Sequence, residues 1–105
     1  MPSFRVTLGV GVLAPGVAPQ DVLPAAAQAA RDVATVEAYD VGIVRGQARV
    51  TVRFTAADDA EALGVGARVR ATVARLAEVR DPRVTRRWGS RWEPVRTGAG
   101  RSTTS

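Results

Sequence analysis

Two stretches of the chain alternate apolar and polar residues without a break, and they restrict the fold more than any other feature. Within residues 4–12, Phe4, Val6, Leu8, Val10 and Val12 are apolar, with Arg5, Thr7, Gly9 and Gly11 between them. Within residues 48–55, Ala48, Val50, Val52 and Phe54 alternate with Arg49, Thr51, Arg53 and Thr55. A period of two puts all the apolar side chains on one face of a strand. Both strands therefore belong to a sheet with one covered face and one open face of arginine and threonine.

The remaining elements follow from their own signals. Ala14-Pro15-Gly16 ends the first strand with turn chemistry. A helix entering near Gln20 or Asp21 tolerates Pro24 in its first turn, where no backbone donor is needed. Its apolar stripe is Val22, Leu23, Ala26, Ala30 and Val33. Residues 35–44 have strand composition but broken alternation, which a bulge near Asp40 would reconcile. Arg45-Gly46 then makes a tight connection. Asp58 is a helix N-cap, with Glu61 completing a capping box. Ala62, Val65, Val69, Val73 and Leu76 form the buried stripe of this second helix. Gly64 and Gly66 interrupt it, either for close packing or as a weak first turn. Asp81-Pro82 is expected to stop the helix, and residues 83–88 to form a fourth strand.

Strand, helix, strand, strand, helix, strand is the split β-α-β pattern. The expected fold is α+β: a ferredoxin-like βαββαβ domain over residues 1–95, with a four-stranded antiparallel sheet and both helices on one face. An up-and-down sheet of the same elements is the alternative. Residues 96–105 are expected to be a disordered tail, since beyond Arg96 they contain almost nothing apolar.

Composition narrows the chemistry. The chain has no cysteine, no histidine and no lysine, and all fifteen cations are arginine. A thiolate or imidazole metal site and the commonest general base are excluded. Arginine without lysine fits either GC-rich coding or selection for bidentate recognition of phosphate and carboxylate. Residues 80–105 hold seven arginines against two acids, whereas residues 1–79 balance at eight and eight, so the whole formal charge of +5 lies in the last quarter. No apolar run approaches the roughly 20 residues of a membrane helix, and the N-terminus lacks a signal-peptide pattern. A cytoplasmic protein, or part of a soluble assembly, is expected.

Two surfaces are candidates for binding. One is the Arg/Trp-rich segment near the C-terminus, with Arg86, Arg87, Trp88, Arg91 and Trp92. Arginine and tryptophan are the residues that most often anchor protein interfaces, and they also bind phosphate and stack on bases. If Val84 and Trp88 face the helices, Arg86 points inward with them. The other candidate is the open sheet face, with Arg5, Thr7, Arg49, Thr51 and Arg53 and a furrow at Gly9 and Gly11. It lacks the outward aromatics on which RNA-binding sheets stack bases. Asp58-Asp59 suits helix capping rather than acid/base work, and 8-LGVGVLAPG-16 places its glycines in a strand, unlike a dinucleotide fingerprint. No catalytic residue, cofactor or metal ligand is assigned. The expected role is a small non-catalytic interaction module that docks to a protein partner or self-associates through the Arg/Trp segment. A nucleic-acid-binding domain and a regulatory domain for an anionic small ligand are the alternatives.

Overall fold

The computed structural model describes residues 1–96; the expected tail beyond Arg96 lies outside the described residues. In chain order the elements are β1 (Ser3–Leu13), a 3-10 turn (Pro19–Asp21), α1 (Val22–Arg31), β2 (Thr35–Val44), β3 (Gln47–Thr55), α2 (Asp59–Ala74), β4 (Ala77–Trp88) and β5 (Arg91–Pro94). One sheet contains all five strands in the order β2-β3-β1-β4-β5, with every neighbouring pair antiparallel.

The fold is mixed α+β, but the expected four-stranded ferredoxin-like βαββαβ arrangement is overturned. The chain reverses after Trp88 through Gly89-Ser90 and returns as β5, a fifth strand paired with the end of β4. Gly89 has φ 63° and supplies the reversal. The Arg/Trp stretch is thus largely sheet, and its charge is built into a hairpin.

The alternating strands behave as their pattern requires. Phe4, Val6 and Leu8 of β1 and Val50, Val52 and Phe54 of β3 are buried, and they meet Val22, Ala26 and Ala30 of α1 and Ala62, Val65, Val69 and Val73 of α2. Phe4 and Phe54 stack with ring centroids 5.9 Å apart. Burying each such aromatic or aliphatic side chain contributes about 1.5–3 kcal/mol. The alanine face of α1 lets that helix lie close to the sheet. Pro24 sits in its first turn, as the sequence implies, but Val33 lies beyond the helix and is exposed.

At the start of α2, the Asp58 carboxylate accepts from the Glu61 N–H at 2.8 Å. The Glu61 carboxylate accepts from the Ala57 N–H at 3.1 Å, one residue earlier than a standard capping box. Gly66 lies on the buried stripe, and a Cβ there would come within 2.5 Å of Val84 Cγ2. Gly66 therefore allows α2 to close on β4.

Two local expectations need correction. Asp81-Pro82 does not stop the helix: α2 ends at Ala74, and Asp81-Pro82 lies inside β4. Asp81 has φ 47°, and the β1–β4 register shifts between Thr7 and Gly9, so the pair forms a bulge. Proline is tolerated because β5 covers only residues 85–88 of that edge, leaving no neighbouring strand to receive an N–H at Pro82. In β2 the bulge lies between Val36 and Ala38, not near Asp40. Val36, Tyr39, Val41 and Ile43 consequently stand opposite Phe54, Val52, Val50 and Ala48 and share the helix-side face.

Candidate interaction surface

Strand alternation divides the Arg/Trp segment between the two faces of the sheet. Arg86 pairs with Phe4 and faces the helices, as do Trp88 and, opposite it, Arg91. Arg87 and Trp92 stand opposite each other on the open face. The five residues do not form one patch.

On the helix side, Arg86 is committed to the fold. Its Nη1 donates to Asp59 Oδ1 at 2.9 Å, at the first residue of α2. Its guanidinium lies 4.1 Å from the Trp88 ring centroid and 5.6 Å from that of Phe4. Its Nε is buried without a hydrogen-bond partner. The inward arginine inferred from parity is present, and it ties β4 to the start of α2. Trp88 covers this side chain yet stays 50% exposed. Arg91 bonds Glu93 at 3.1 Å on the hairpin itself.

The open face gathers more of the candidates. Arg5, Thr7, Arg49, Thr51 and Arg53 all lie on it, because β1 and β3 pair in register with Arg5 opposite Arg53 and Thr7 opposite Thr51. The two threonine hydroxyls approach to 3.5 Å. Arg80 stands opposite Gly9, Arg83 opposite Thr7, and Arg87 opposite Trp92, adding three further arginines to the same face. Trp92 reaches across from β5 and joins the two candidate surfaces. The Arg5 guanidinium carbon lies 3.9 Å from its ring centroid and that of Arg53 5.3 Å. Such stacking contributes about 0.5–1 kcal/mol at exposed sites.

Carboxylates neutralise part of this surface. Glu37, the bulged residue of β2, accepts from Arg53 Nε at 3.0 Å and from the Ser3 hydroxyl at 2.9 Å. Glu78 accepts from Arg80 Nε at 2.9 Å. Among the described residues, Arg5, Arg49, Arg83 and Arg87 have no carboxylate partner. Arg49 Nε is buried and unbonded, and Arg87 Nε donates to the Gly89 carbonyl at 2.7 Å.

The expected glycine furrow is closed by the chain itself. A Cβ on Gly9 would meet the Gln47 side chain at 2.8 Å, and one on Gly11 would meet the side chains of Glu78 and Arg80. These glycines make room for the protein's own side chains. Arg5 and Arg53 converge, but on the Trp92 ring, so the space between them is filled by indole.

Sequence reasoning misses Arg80 and Arg83 as members of this face, because Asp81-Pro82 reads locally as a helix end. It also misses Trp92 as the bridge, because nothing local signals a strand of four residues. No helix among the described residues is long and apolar enough to cross a membrane. Compared with protein-family models, curated proteins and solved structures, the chain matches none, so the reading of this surface rests on its own geometry.

Proposed function

We propose that the protein is a small non-catalytic interaction module that docks an acidic protein partner on its open sheet face. The observation that carries this reading is the Arg5–Trp92–Arg53 cluster, which brings the arginine-rich sheet and the C-terminal hairpin into one surface. Arg5 of the cluster and three other arginines of the face, Arg49, Arg83 and Arg87, have no carboxylate partner among the described residues, and guanidinium forks suit the carboxylates of a partner. A protein partner is favoured over nucleic acid because, among the described residues, this face offers no uncommitted aromatic platform. Its one large ring already stacks on Arg5, and the exposed Trp88 is on the other side of the sheet.

Titration with poly-L-glutamate and with a single-stranded DNA oligomer of equal charge, read by Trp92 fluorescence in a Trp88→Phe background, tests the reading. Poly-L-glutamate should bind, and Arg5→Gln combined with Arg49→Gln should weaken it about tenfold, each lost contact being worth up to about 1 kcal/mol. Tighter binding of the DNA would put the nucleic-acid reading in its place. Binding of poly-L-glutamate that ignores the two substitutions would remove the open face from consideration.

A further inference from the structure

The opposite edge of the sheet carries a different feature. β2 is exposed along almost its whole length, and its helix-side residues are apolar: Tyr39 is 45%, Val41 53% and Ile43 70% exposed. The helix on this side, α1, is only ten residues long; its last residue, Arg31, lays its guanidinium 5.1 Å from the Tyr39 ring centroid, while Val41 and Ile43 stay more than half exposed. Val41 continues inward to an apolar groove of about 620 Å³, shared with Val10, Leu13, Val22, Leu23 and Val50. Long apolar edges are ordinarily blunted by proline, inward charge or bulges. Here the bulge comes at Glu37, and residues 38–44 contain no proline and a single charge, Asp40.

The turn geometry shows which backbone groups this edge presents. Arg45 and Gly46 both have positive φ, 53° and 78°, the mark of a type I′ two-residue hairpin. In such a hairpin the flanking pair, Val44 and Gln47, exchanges hydrogen bonds, and the bonded pairs then alternate up the ladder. Asp40 and Gly42 therefore bond inward to β3. The N–H and C=O groups of Tyr39, Val41 and Ile43 point away from the sheet, on the same residues that expose apolar side chains.

We infer that two copies of this chain pair through β2, antiparallel and centred on Val41, to form one continuous sheet. In that register Val41 faces Val41 of the second copy, and Tyr39 faces Ile43, so the outward groups meet in about six hydrogen bonds. Tyrosine opposite a β-branched residue is a favourable cross-strand pair. Asp40 falls opposite Gly42, and Arg45 at the turn of one copy comes to the end of the strand where Glu37 of the other lies. Sliding the centre to Asp40 sets two carboxylates directly opposite each other, which is destabilising. Sliding it to Gly42 shortens the ladder and sets Asp40 against Val44. The pairing is isologous, so it closes at two copies. It leaves the open-face cluster at β1, β3 and β5 untouched and does not depend on the proposed docking function.

The two-fold axis at Val41 gives the test. Sedimentation equilibrium on the full chain should show a dimer. Val41→Lys and Val41→Asp, substitutions at a half-exposed site whose folding is checked by circular dichroism, should each be monomeric alone. Mixed in equal amounts, they should form a heterodimer. Ile43→Lys, at a more exposed position, should also be monomeric and serves if either Val41 variant fails to fold. A wild-type monomer at about 100 μM overturns the inference. So does a dimer that survives these substitutions, and so does failure of the Lys and Asp variants to pair.

Discussion

Gly64 and Gly66 show how much a single residue's meaning depends on helical phase. At 3.6 residues per turn they lie about 200° apart around α2. Gly66 falls on the stripe of Ala62, Val69 and Val73, and Gly64 faces away with nothing within 4 Å of an added Cβ. Gly64→Ala should therefore stabilise the protein by about 0.5–1 kcal/mol, the helix-propensity gain. Gly66→Ala brings a methyl group to 2.5 Å from Val84 Cγ2, on a stiff β-branched side chain that cannot rotate away. Overpacking of about 1–3 kcal/mol should outweigh the propensity gain and lower the melting temperature. In a Val84→Ala background the same substitution should lose most of that penalty. Thermal unfolding of the four variants checks the assignment. If Gly66→Ala stabilised the wild-type background, α2 would not be seated on β4 as described. The inward direction of Arg86 is legible in the sequence, since parity sets it, whereas Gly64 and Gly66 read alike there. The partner of Arg86 is not legible. Asp59 is brought beside it by the packing of α2 on β4, and no local pattern records that.

Among whole elements, the sequence was clear where side chains alternate and unclear where turn chemistry has two meanings. β1, β3 and the starts of both helices are close to their expected positions, because each buries a regular apolar set, but α2 ends at Ala74 and Leu76, expected in its stripe, lies beyond it. Asp81-Pro82 reads equally well as a helix stop or as an edge-strand bulge. The decision lay with Ala77 and Val79, which pair with Leu13 and Val10 of β1. β5 was missed because its four residues gain their place by pairing and by the Trp92 contacts, and neither is a property of the segment alone. The β2–β3 hairpin carries a testable imperfection. Arg45 occupies a left-handed conformation, φ 53°, at the first position of a type I′ turn, where asparagine is strongly preferred. Arg45→Asn should raise stability by a few tenths to about 1 kcal/mol, shifting the midpoint of a urea transition upward with an unchanged slope. A lower midpoint would mean that the Arg45 side chain contributes more to the hairpin than its backbone strain removes.

Over the whole molecule, the sheet separates two kinds of surface. Arginine collects on the open face towards β5, and uncovered apolar side chains collect on the helix side at β2. The charge count already located the excess arginine at the C-terminal end of the chain. It could not show that strand pairing carries that charge across the sheet to meet Arg5 and Arg53, nor that α1 leaves Val41 and Ile43 more than half exposed. This separation has a thermodynamic consequence if β2 is paired in solution. Only the folded chain presents the β2 edge, so unfolding and dissociation are linked, and the melting temperature depends on protein concentration. A tenfold rise in concentration adds about 1.4 kcal/mol per dimer, or about 0.7 kcal/mol per chain. For a domain of this size that corresponds to a rise of about 3–5 °C. Val41→Lys should flatten the dependence, because the monomer has no association step left to shift. The open-face pair Arg5→Gln and Arg49→Gln should leave the slope as it is, because those side chains lie on β1 and β3, away from the pairing edge. A melting temperature independent of concentration in the wild type, measured by calorimetry from about 10 to 1,000 μM, would place Tyr39, Val41 and Ile43 in water in the isolated chain.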